Sequence, residues 1–390
     1  MYGFIPRYAM GIVALLASVL VASCDKERDP EIESQEPAQM RVGFRIALGG
    51  TQAVRTTPAG DYDDATGVDF ENYIDVAHKN YRILFFDTEN RYLTSFRQQD
   101  FIPLGDDPVR SKVYEVIGRI DGRLPRDFKV VVLANWPTYP EGLTAGKTTI
   151  EDICTAAGSR YAYVPPFVCS EETPIPMYGV RLCEAVEFTP QTVTYLGTVH
   201  LLRAMAKVQV VCPAAEWTLE KVRLKRYNRT GYCAPSGVYA EGDYVKGDHA
   251  SDYVEEVHVE EGAVEEASID FRKLSDGSFE IYLPEHRNAD GKVRRADAAQ
   301  IVVKFEERAD KEYVVDFKYY GDPPAGSQAG DPFDVRRNCY YKFKLSNKGV
   351  AEPSVSVDVY PYDQWELRPG FGVGDEEAEE TTERRRIIEA

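Results

Sequence analysis

Strict alternation of apolar and polar side chains is the feature that most constrains this chain. Every second residue from Val42 to Leu48 is apolar, so these side chains share one face of an extended strand. The same period of two returns in later segments, which are separated by clusters of Gly, Pro and Asp typical of turns. We predict further strands over 81–87, 112–119, 128–134, 199–212, 221–227, 301–305, 313–319, 339–345 and 355–359. Many short strands with almost no helix predict an all-β fold made of β-sandwiches.

Two of these strands and one helix carry more specific expectations. Phe128–Ala134 is apolar at all but one position, which predicts a strand covered on both faces. The alternation over 199–212 predicts one continuous strand. The only helix that we predict spans 149–157, with Thr148 or Thr149 as its N-cap.

Length and charge limit the organisation and the partners of the chain. Its 390 residues exceed what one hydrophobic core usually supports, so two domains are expected. The 46 Lys and Arg against 64 Asp and Glu give a net charge of −18. This argues against nucleic acid as a partner, because phosphate binding needs a concentrated basic face. We therefore expect two β-sandwich domains in tandem, over 40–198 and 199–372, followed by a charged, disordered tail over 373–390.

The amino terminus resembles a bacterial lipoprotein signal peptide, which we assign to 1–23. Its apolar run is too short to span a bilayer. The run ends in Val21-Ala22-Ser23-Cys24, which is similar to a lipobox, and Cys24 supplies the thiol that receives the lipid. An acidic tether without apolar periodicity follows over 24–39. The sequence thus predicts a surface-exposed lipoprotein of the outer membrane; the alternative is an ordinary signal peptide with an incidental cysteine.

No motif in the sequence supports an enzyme. The glycines of Gly142–Thr148 are separated by three residues where a phosphate loop needs four. The five histidines form no paired-ligand pattern, and His200 on an alternating strand is more readily a core residue than a ligand. Asp61, Asp63 and Asp64 lack the Gly and Glu of a calcium loop, although weak Ca²⁺ binding stays open. We therefore predict no enzymatic activity, no cofactor and no metal site.

Cysteine usage leaves two alternatives open. Beyond Cys24 the chain has six cysteines, at 154, 169, 183, 212, 233 and 339. An exported chain can form disulfides, and six thiols allow fifteen pairings. Cys212 and Cys339 fall at inward-facing strand positions. Buried free thiols and disulfides are both compatible with this pattern.

Several segments, in order over 41–372, resemble the fimbrillins, the shaft and accessory subunits of Bacteroidetes type V pili. Tyr81–Asp87 resembles the first strand of the mature family members, and Val130–Asn135 resembles their apolar strand that ends in Ala-Asn. Pro361–Trp365 is similar to their closing segment. The remaining matches are Met177–Gly179, Leu202–Val208, Tyr227-Asn228, Gly231-Tyr232, Tyr282–Glu285 and Arg337–Tyr341. The resemblance implies two transthyretin-like β-sandwich domains.

The resemblance also implies a maturation mechanism. In fimbrillins an arginine-specific protease cuts the loop after the first strand, that strand leaves, and a strand of the next subunit fills the groove. Here this implies cleavage between Arg55 and Thr56 and release of the strand over 41–48. The inward-facing residues of that strand are Val42, Phe44, Ile46 and Leu48. The alternative is a permanent edge strand, with Arg55 an ordinary loop residue.

The function implied by the resemblance is a structural or adhesive pilus subunit. Its partners would be other pilus subunits, the outer-membrane lipid through Cys24, and a host or bacterial surface ligand. The sequence after Trp365 lacks the alternation of a donor strand, so a tip or accessory subunit is favoured over a shaft subunit, unless 355–360 peels away to donate. The alternative function is a glycan-binding surface lipoprotein that is not polymerised. The three tryptophans of the chain, however, lie far apart in the sequence and indicate no surface on which sugars could stack.

Overall fold

The structure is a computed structural model, and every residue that it describes belongs to one compact unit. The described residues are 40–48, 70–104, 113–189, 192–213, 217–236, 257–320, 326–346 and 354–361. Cys24, Arg55, Thr56 and the predicted tail lie outside these ranges. No helix in the described ranges is long and apolar enough to cross a membrane.

The strands of the first half form one large sheet. In chain order they are β1 Met40–Leu48, β2 Tyr81–Phe86, β3 Tyr92–Ser95, β4 Gln98–Leu104, β5 Val113–Ile120, β6 Phe128–Ala134, β7 Arg160–Ala162, β8 Met177–Cys183 and β9 Thr194–Arg203. Among the described residues, eight of these strands form a sheet in the order β3-β2-β6-β8-β9-β1-β5-β4. All neighbours in it are antiparallel except β1 and β9, which are parallel.

This sheet folds over at β9 to give two facing layers. The residues of β9 from Thr194 to Leu201 pair with β1, whereas its pairing with β8 is confined to Leu202 and Arg203. β2 and β4 lie far apart in the strand order, yet the ring centroids of Tyr81 and Phe101 are only 4.4 Å apart. The two halves of the sheet therefore pack face to face as a β-sandwich.

The second half forms two further sheets. Its strands are β10 Ala206–Val211, β11 Leu219–Asn228, β12 Thr230–Tyr232, β13 Val264–Asp270, β14 Arg272–Lys273, β15 Phe279–Leu283, β16 Ala289–Asp290, β17 Val293–Arg294, β18 Gln300–Phe305, β19 Glu312–Asp316, β20 Cys339–Ser346 and β21 Ser354–Pro361. In the described ranges, β14-β15-β10-β20-β21 form one sheet and β13-β11-β18-β19 the other. Phe317, directly after β19, packs edge-on against Phe343 of β20 with 5.4 Å between ring centroids, so the two sheets face each other.

The predicted all-β, β-sandwich fold is confirmed. Phe128–Ala134 is β6, and all of its residues are buried as expected. The buried Lys129 donates from Nζ to Asn90 Oδ1 at 2.6 Å. The one α-helix of the described residues, α1, spans Ile150–Thr155, and Thr149 is its N-cap. α1 ends earlier than predicted because Ala156 leaves the helical conformation, with φ −57° and ψ 152°, and a 3-10 turn over Ala157–Ser159 follows.

The single strand predicted over 199–212 is wrong, because the structure divides it into β9 and β10. The N–H of Ala204 donates to Pro176 O at 2.8 Å, and the carbonyl of Met205 accepts from Asn338 N–H at 2.9 Å. These backbone groups are therefore bonded outside the sheet ladders. The chain leaves the first sheet at this point and enters the second.

The division into two domains, over 40–198 and 199–372, remains a prediction. β9 belongs to the first sheet and β10 to the second, so the chain changes sheets at 204–205. A short antiparallel pairing of β7 with β12 links the two halves and sets Gly231 opposite Tyr161. The buried hydrophobic residues of both halves also form one contiguous cluster.

Two smaller expectations have mixed outcomes. The strand predicted over 313–319 ends at Asp316, because Phe317 O accepts from Phe333 N–H at 3.0 Å instead of continuing the ladder. The six cysteines of the described ranges are free thiols. Cys339 is buried on β20 as expected, whereas Cys212 lies just beyond β10 and is half-buried.

Candidate functional site

The strand predicted to be removable, β1, lies inside the large sheet. It pairs antiparallel with β5 from Met40 opposite Ile120 to Ala47 opposite Val113. On its other side it pairs parallel with β9, ending with Leu48 beside Leu201. The alternative of a permanent edge strand therefore does not hold, because β1 has a paired neighbour on each side. Removal of β1 would leave two unpaired strand edges, those of β5 and β9.

The four residues predicted to face inward do so. The side chains of β1 that lie in the core are Val42, Phe44 and Ile46, with no exposed surface, and Leu48, which is 1% exposed. Burying such side chains stabilises a fold by about 1.5–3 kcal/mol each, so the four together contribute about 6–12 kcal/mol. That is comparable with the whole stability of a typical domain. The groove under β1 therefore strongly favours an occupant.

Aromatic rings and glycines shape this groove. Phe44 stacks on Phe96 with 6.2 Å between ring centroids and 9° between the ring planes. Phe85 meets Phe96 edge-on at 5.1 Å. Phe96 in turn covers Gly118 of β5 so closely that a Cβ at that position would lie 2.4 Å from its ring. On the opposite face of β1, Gly43 lies under the ring of Tyr195.

A buried charged cluster lies where the two halves of the chain meet. Lys207 Nζ is 2.8 Å from Glu71 Oε1 and 3.4 Å from Glu280 Oε2, and all three side chains are at most 3% exposed. The hydroxyl of Tyr282 donates to Glu71, and Arg272 pairs with Glu280. The second carboxylate oxygen of Glu71 has no hydrogen-bond partner among the described residues. The cluster ties Glu71, which follows the undescribed residues 49–69, to β10 and β15.

Burial and neighbouring charges shift the pKa values in this cluster in consistent directions. Burial raises the pKa of Glu71 from its ordinary 4.5 to about 7, against the opposing effect of Lys207. Burial alone would lower the pKa of Lys207, but the Glu71 and Glu280 carboxylates raise it. Lys207 therefore stays charged throughout the physiological range, while Glu71 titrates near neutrality.

Arg203, at the end of β9, holds the same segment from the other side. Its Nε donates to the carbonyl of Glu71 at 3.0 Å, and its guanidinium also contacts Asn72 Oδ1. Its Nη1 donates to Asn338 Oδ1 at 3.2 Å, and the Arg203 side chain is fully buried. β9 thus pairs with β1 along most of its length, and Arg203 at its end contacts Glu71 and Asn72.

The sequence could have indicated part of this arrangement. Arg203 and Lys207 stand within the Leu202–Val208 segment that carries the family resemblance, and two cations in a β segment are unusual in a core. Glu71 carried no such signal, because its partners are more than 100 residues away. Cys24, Arg55 and Thr56 lie outside the described residues, so lipidation and cleavage remain predictions.

The described surface offers little for the glycan-binding alternative. Trp136 is buried and donates from Nε1 to Met177 O at 2.8 Å, while Trp217 packs against Phe305 with 5.0 Å between ring centroids. Trp365 lies outside the described residues. One cleft of about 320 Å³ is lined, among the described residues, by Asn228, Val259, Glu260, Glu261, Gly262, Val264, Arg287, Arg295 and Asp297. It presents no aromatic ring for stacking on a sugar. In the described ranges, no group of three or more His, Cys, Asp or Glu side chains is placed to hold a metal ion.

Comparison with solved structures defines the class of fold. The tip fimbrial protein Mfa3 from Porphyromonas gingivalis, truncated at its carboxy terminus, matches with a TM-score of 0.53 and 12% identity, over 82% of this chain and 99% of that one. Two candidate cell adhesion proteins match at 12% identity over 83% of this chain. The one from Bacteroides uniformis has a TM-score of 0.40 and 98% of its chain covered, and the one from Bacteroides eggerthii has 0.41 and 96%. No protein-family model matches, and no curated protein matches. The chain therefore has the fold of the fimbrial tip protein Mfa3.

Proposed function

We propose that this chain is a structural or adhesive subunit of a type V pilus, exported as an outer-membrane lipoprotein. The observation that carries the proposal is β1. It is an interior strand with four fully buried apolar side chains, and residues 49–69, which include Arg55, connect it to the rest of the fold. The likeness in fold to Mfa3 and the fimbrillin-like segments of the sequence support the same assignment.

Cleavage after Arg55 would convert β1 from a covalent part of the fold into a bound peptide. Its departure opens the edges of β5 and β9 and a groove that its four side chains had filled. An extended segment from another subunit recovers the backbone hydrogen bonds and the burial together. Assembly is therefore driven by the same interactions that hold β1 in the uncut chain.

The charged cluster supports this sequence of events. Arg203 and Lys207 hold Glu71 and Asn72, which lie on the carboxy-terminal side of the cut. The new amino terminus at Thr56 would be anchored to the body of the protein about fifteen residues later. Residues 24–55 would leave with the lipid at Cys24, whereas an uncut chain remains an anchored subunit.

A tip or accessory position fits better than a shaft position. Donation of the last described strand, β21, would require it to leave β20, with which it pairs along its whole length. The sequence after Trp365 is charged and has little alternation, which is unsuited to a donor strand. A subunit that accepts a strand but donates poorly ends a polymer, and its exposed surface is available to a host or bacterial ligand.

The test is treatment of purified 24–390 with an arginine-specific protease, alone and with partner subunits. We expect cleavage to give a product that begins at Thr56. When a partner supplies a strand, β1 should be lost and heat-labile oligomers should form; without a partner, neither should occur. Arg55→Ala is the matched control and should abolish both the product and the oligomers. Retention of β1 after cleavage, or cleavage without oligomers in the presence of partners, would contradict the proposal.

A further inference from the structure

The geometry of the β1 groove points to selection of its occupant by sequence. The proposed occupant is a strand of a different subunit that runs parallel to β9, carries glycine or another very small residue at the Gly43 position, and carries an aromatic ring at the Phe44 position. This inference rests on the proposed function, because it concerns the strand that replaces β1.

The incoming strand would lie between the same two neighbours as β1. β5 and β9 remain after β1 leaves, and they accept β1 in one orientation, antiparallel to β5 and parallel to β9. A reversed strand would also form one antiparallel and one parallel ladder, so the backbone edges alone do not select a direction. The pairing with β9 shifts register between Gly43 and Arg45. A reversed strand would, however, present its small and aromatic side chains in the opposite order along the groove, so the Gly43 and Phe44 positions favour the orientation of β1.

The Gly43 position excludes side chains of ordinary size. A Cβ there would lie 3.0 Å from Tyr195 Cε1 and 3.0 Å from Val193 Cγ1. Tyr195 is 43% exposed and can shift enough for a single methyl group, but a branched side chain would have to displace the ring. Glycine in a strand marks such close approaches. This position therefore rejects occupants by steric conflict.

The Phe44 position, in contrast, requires a large side chain to fill the space above Phe96. Its ring completes the aromatic layer with Phe96 and Phe85, and Phe96 is held in place over Gly118. Gly118 has no side chain with which to fill space if Phe44 is lost. Packed cores tolerate such voids poorly, and replacing a buried Phe by Ala is among the most destabilising truncations of a core side chain. An occupant without a ring here would bind weakly.

The carboxy-terminal strand of a second copy of this chain fits poorly. With Val355 aligned to Val42, β21 places Ser356 at the Gly43 position, which is acceptable, but Val357 at the Phe44 position. Pro361 would then stand in the place of Leu48, where it lacks an N–H for the ladder. The groove is therefore matched to a strand from another subunit rather than to the end of this one.

Peptide displacement on the full chain tests this selection. In 24–390, residues 53–59 are replaced by the recognition sequence of a site-specific protease, the folded chain is cut, and a fluorescent copy of peptide 40–48 is exchanged into the groove. Unlabelled peptides then compete. We expect the native peptide and its Arg41→Ala control to compete equally, since Arg41 is exposed. Gly43→Val should be at least about 10-fold weaker and Phe44→Ala about 100-fold weaker. The reversed sequence and a peptide of residues 354–362 should not compete.

The outcomes separate this inference from the proposed function. If the native peptide exchanges but Gly43→Val and Phe44→Ala compete as well as Arg41→Ala, selection by the groove is wrong and strand replacement stands. If the native peptide never exchanges after the cut, the proposed function fails, and this inference fails with it. A second measurement is urea unfolding of the uncut chain. Gly43→Val and Phe44→Leu should lower the midpoint of unfolding, whereas Arg41→Ala should not. Equal midpoints for the three variants would also contradict selection of the occupant by the groove.

Discussion

Lys207 lies between two buried carboxylates, and its removal should be unusually costly. In Lys207→Met the Glu71 and Glu280 side chains keep their burial but lose the ammonium group that lies 2.8 and 3.4 Å from them. Arg272 continues to neutralise Glu280, so most of the uncompensated charge falls on Glu71. Removing one partner of a buried ion pair typically lowers the free energy of unfolding by about 3–5 kcal/mol, and we expect a decrease of that size for Lys207→Met at pH 8.

A matched control separates burial from charge. Lys304 pairs with Glu220 at the same distance, 2.8 Å, but these side chains are 29% and 38% exposed. Solvent screens such a pair, so Lys304→Met should cost no more than about 1 kcal/mol. Both variants carry the same chemical change and are compared by urea unfolding of 24–390 at constant ionic strength. The difference between them measures what burial contributes.

The pH dependence provides a second signature. Glu71 has a folded pKa of about 7 against an ordinary 4.5, so the folded chain retains this proton to a higher pH than the unfolded chain does. Its contribution to stability is therefore fully present below pH 4.5 and is lost as the pH rises through 7. Without Lys207 the carboxylate is still harder to ionise, so Lys207→Met should approach the wild-type stability at pH 5. Adding Glu71→Gln should restore stability at pH 8.

Equal effects of the buried and the exposed substitution would contradict this role of Lys207. If Lys207→Met and Lys304→Met lose the same free energy of unfolding at pH 8, to within about 0.5 kcal/mol, and neither loss changes at pH 5, then the cluster does not join the two halves in the manner described.

Three further outcomes are expected. Gly231→Ala places a Cβ 2.1 Å from the ring of Tyr161 and should lower the free energy of unfolding by about 1–3 kcal/mol. The neighbouring Thr230→Ala should change it by no more than about 0.5 kcal/mol. Equal effects of the two substitutions would contradict the close approach of β7 and β12. Thr149→Ala removes the side-chain cap that accepts from Asp152 N–H at 3.0 Å and should lower the free energy of unfolding by about 1 kcal/mol. Thr155→Ala on the same helix should leave that free energy unchanged or raise it. If Thr149→Ala has no effect, the cap contributes nothing to stability. Cys24→Ala should release the protein from the outer-membrane fraction, and wild-type partitioning of this variant would contradict lipidation.

Local patterns in the sequence predicted those elements whose environment is local. The apolar run of β6 indicates that both of its faces are covered, and β6 is buried throughout. The alternation of β1 correctly identifies its core face, although Gly43 and Ala47 on the opposite face are buried too. The N-cap at Thr149 likewise depends on residues only three positions apart. Period and capping are properties of neighbouring residues, so they can be recognised without knowledge of the fold.

The features that escaped prediction depend on distant residues. The interruption at Ala204 and Met205 follows from hydrogen bonds to Pro176 and Asn338, which alternation cannot reveal. The parallel pairing of β1 with β9 joins strands about 150 residues apart, and nothing in either strand specifies its neighbour. An isolated alternating strand at the start of a chain is compatible with an edge or an interior position, and only the topology decides between them.

The amino-terminal residue of the mature protein, recovered from the cell surface in its assembled form, decides whether β1 is released and replaced by another strand. Sequencing that protein should give Thr56, and peptides covering 40–48 should be absent from the assembled material. An assembled protein that begins at a lipidated Cys24 and retains 40–48 would contradict the account.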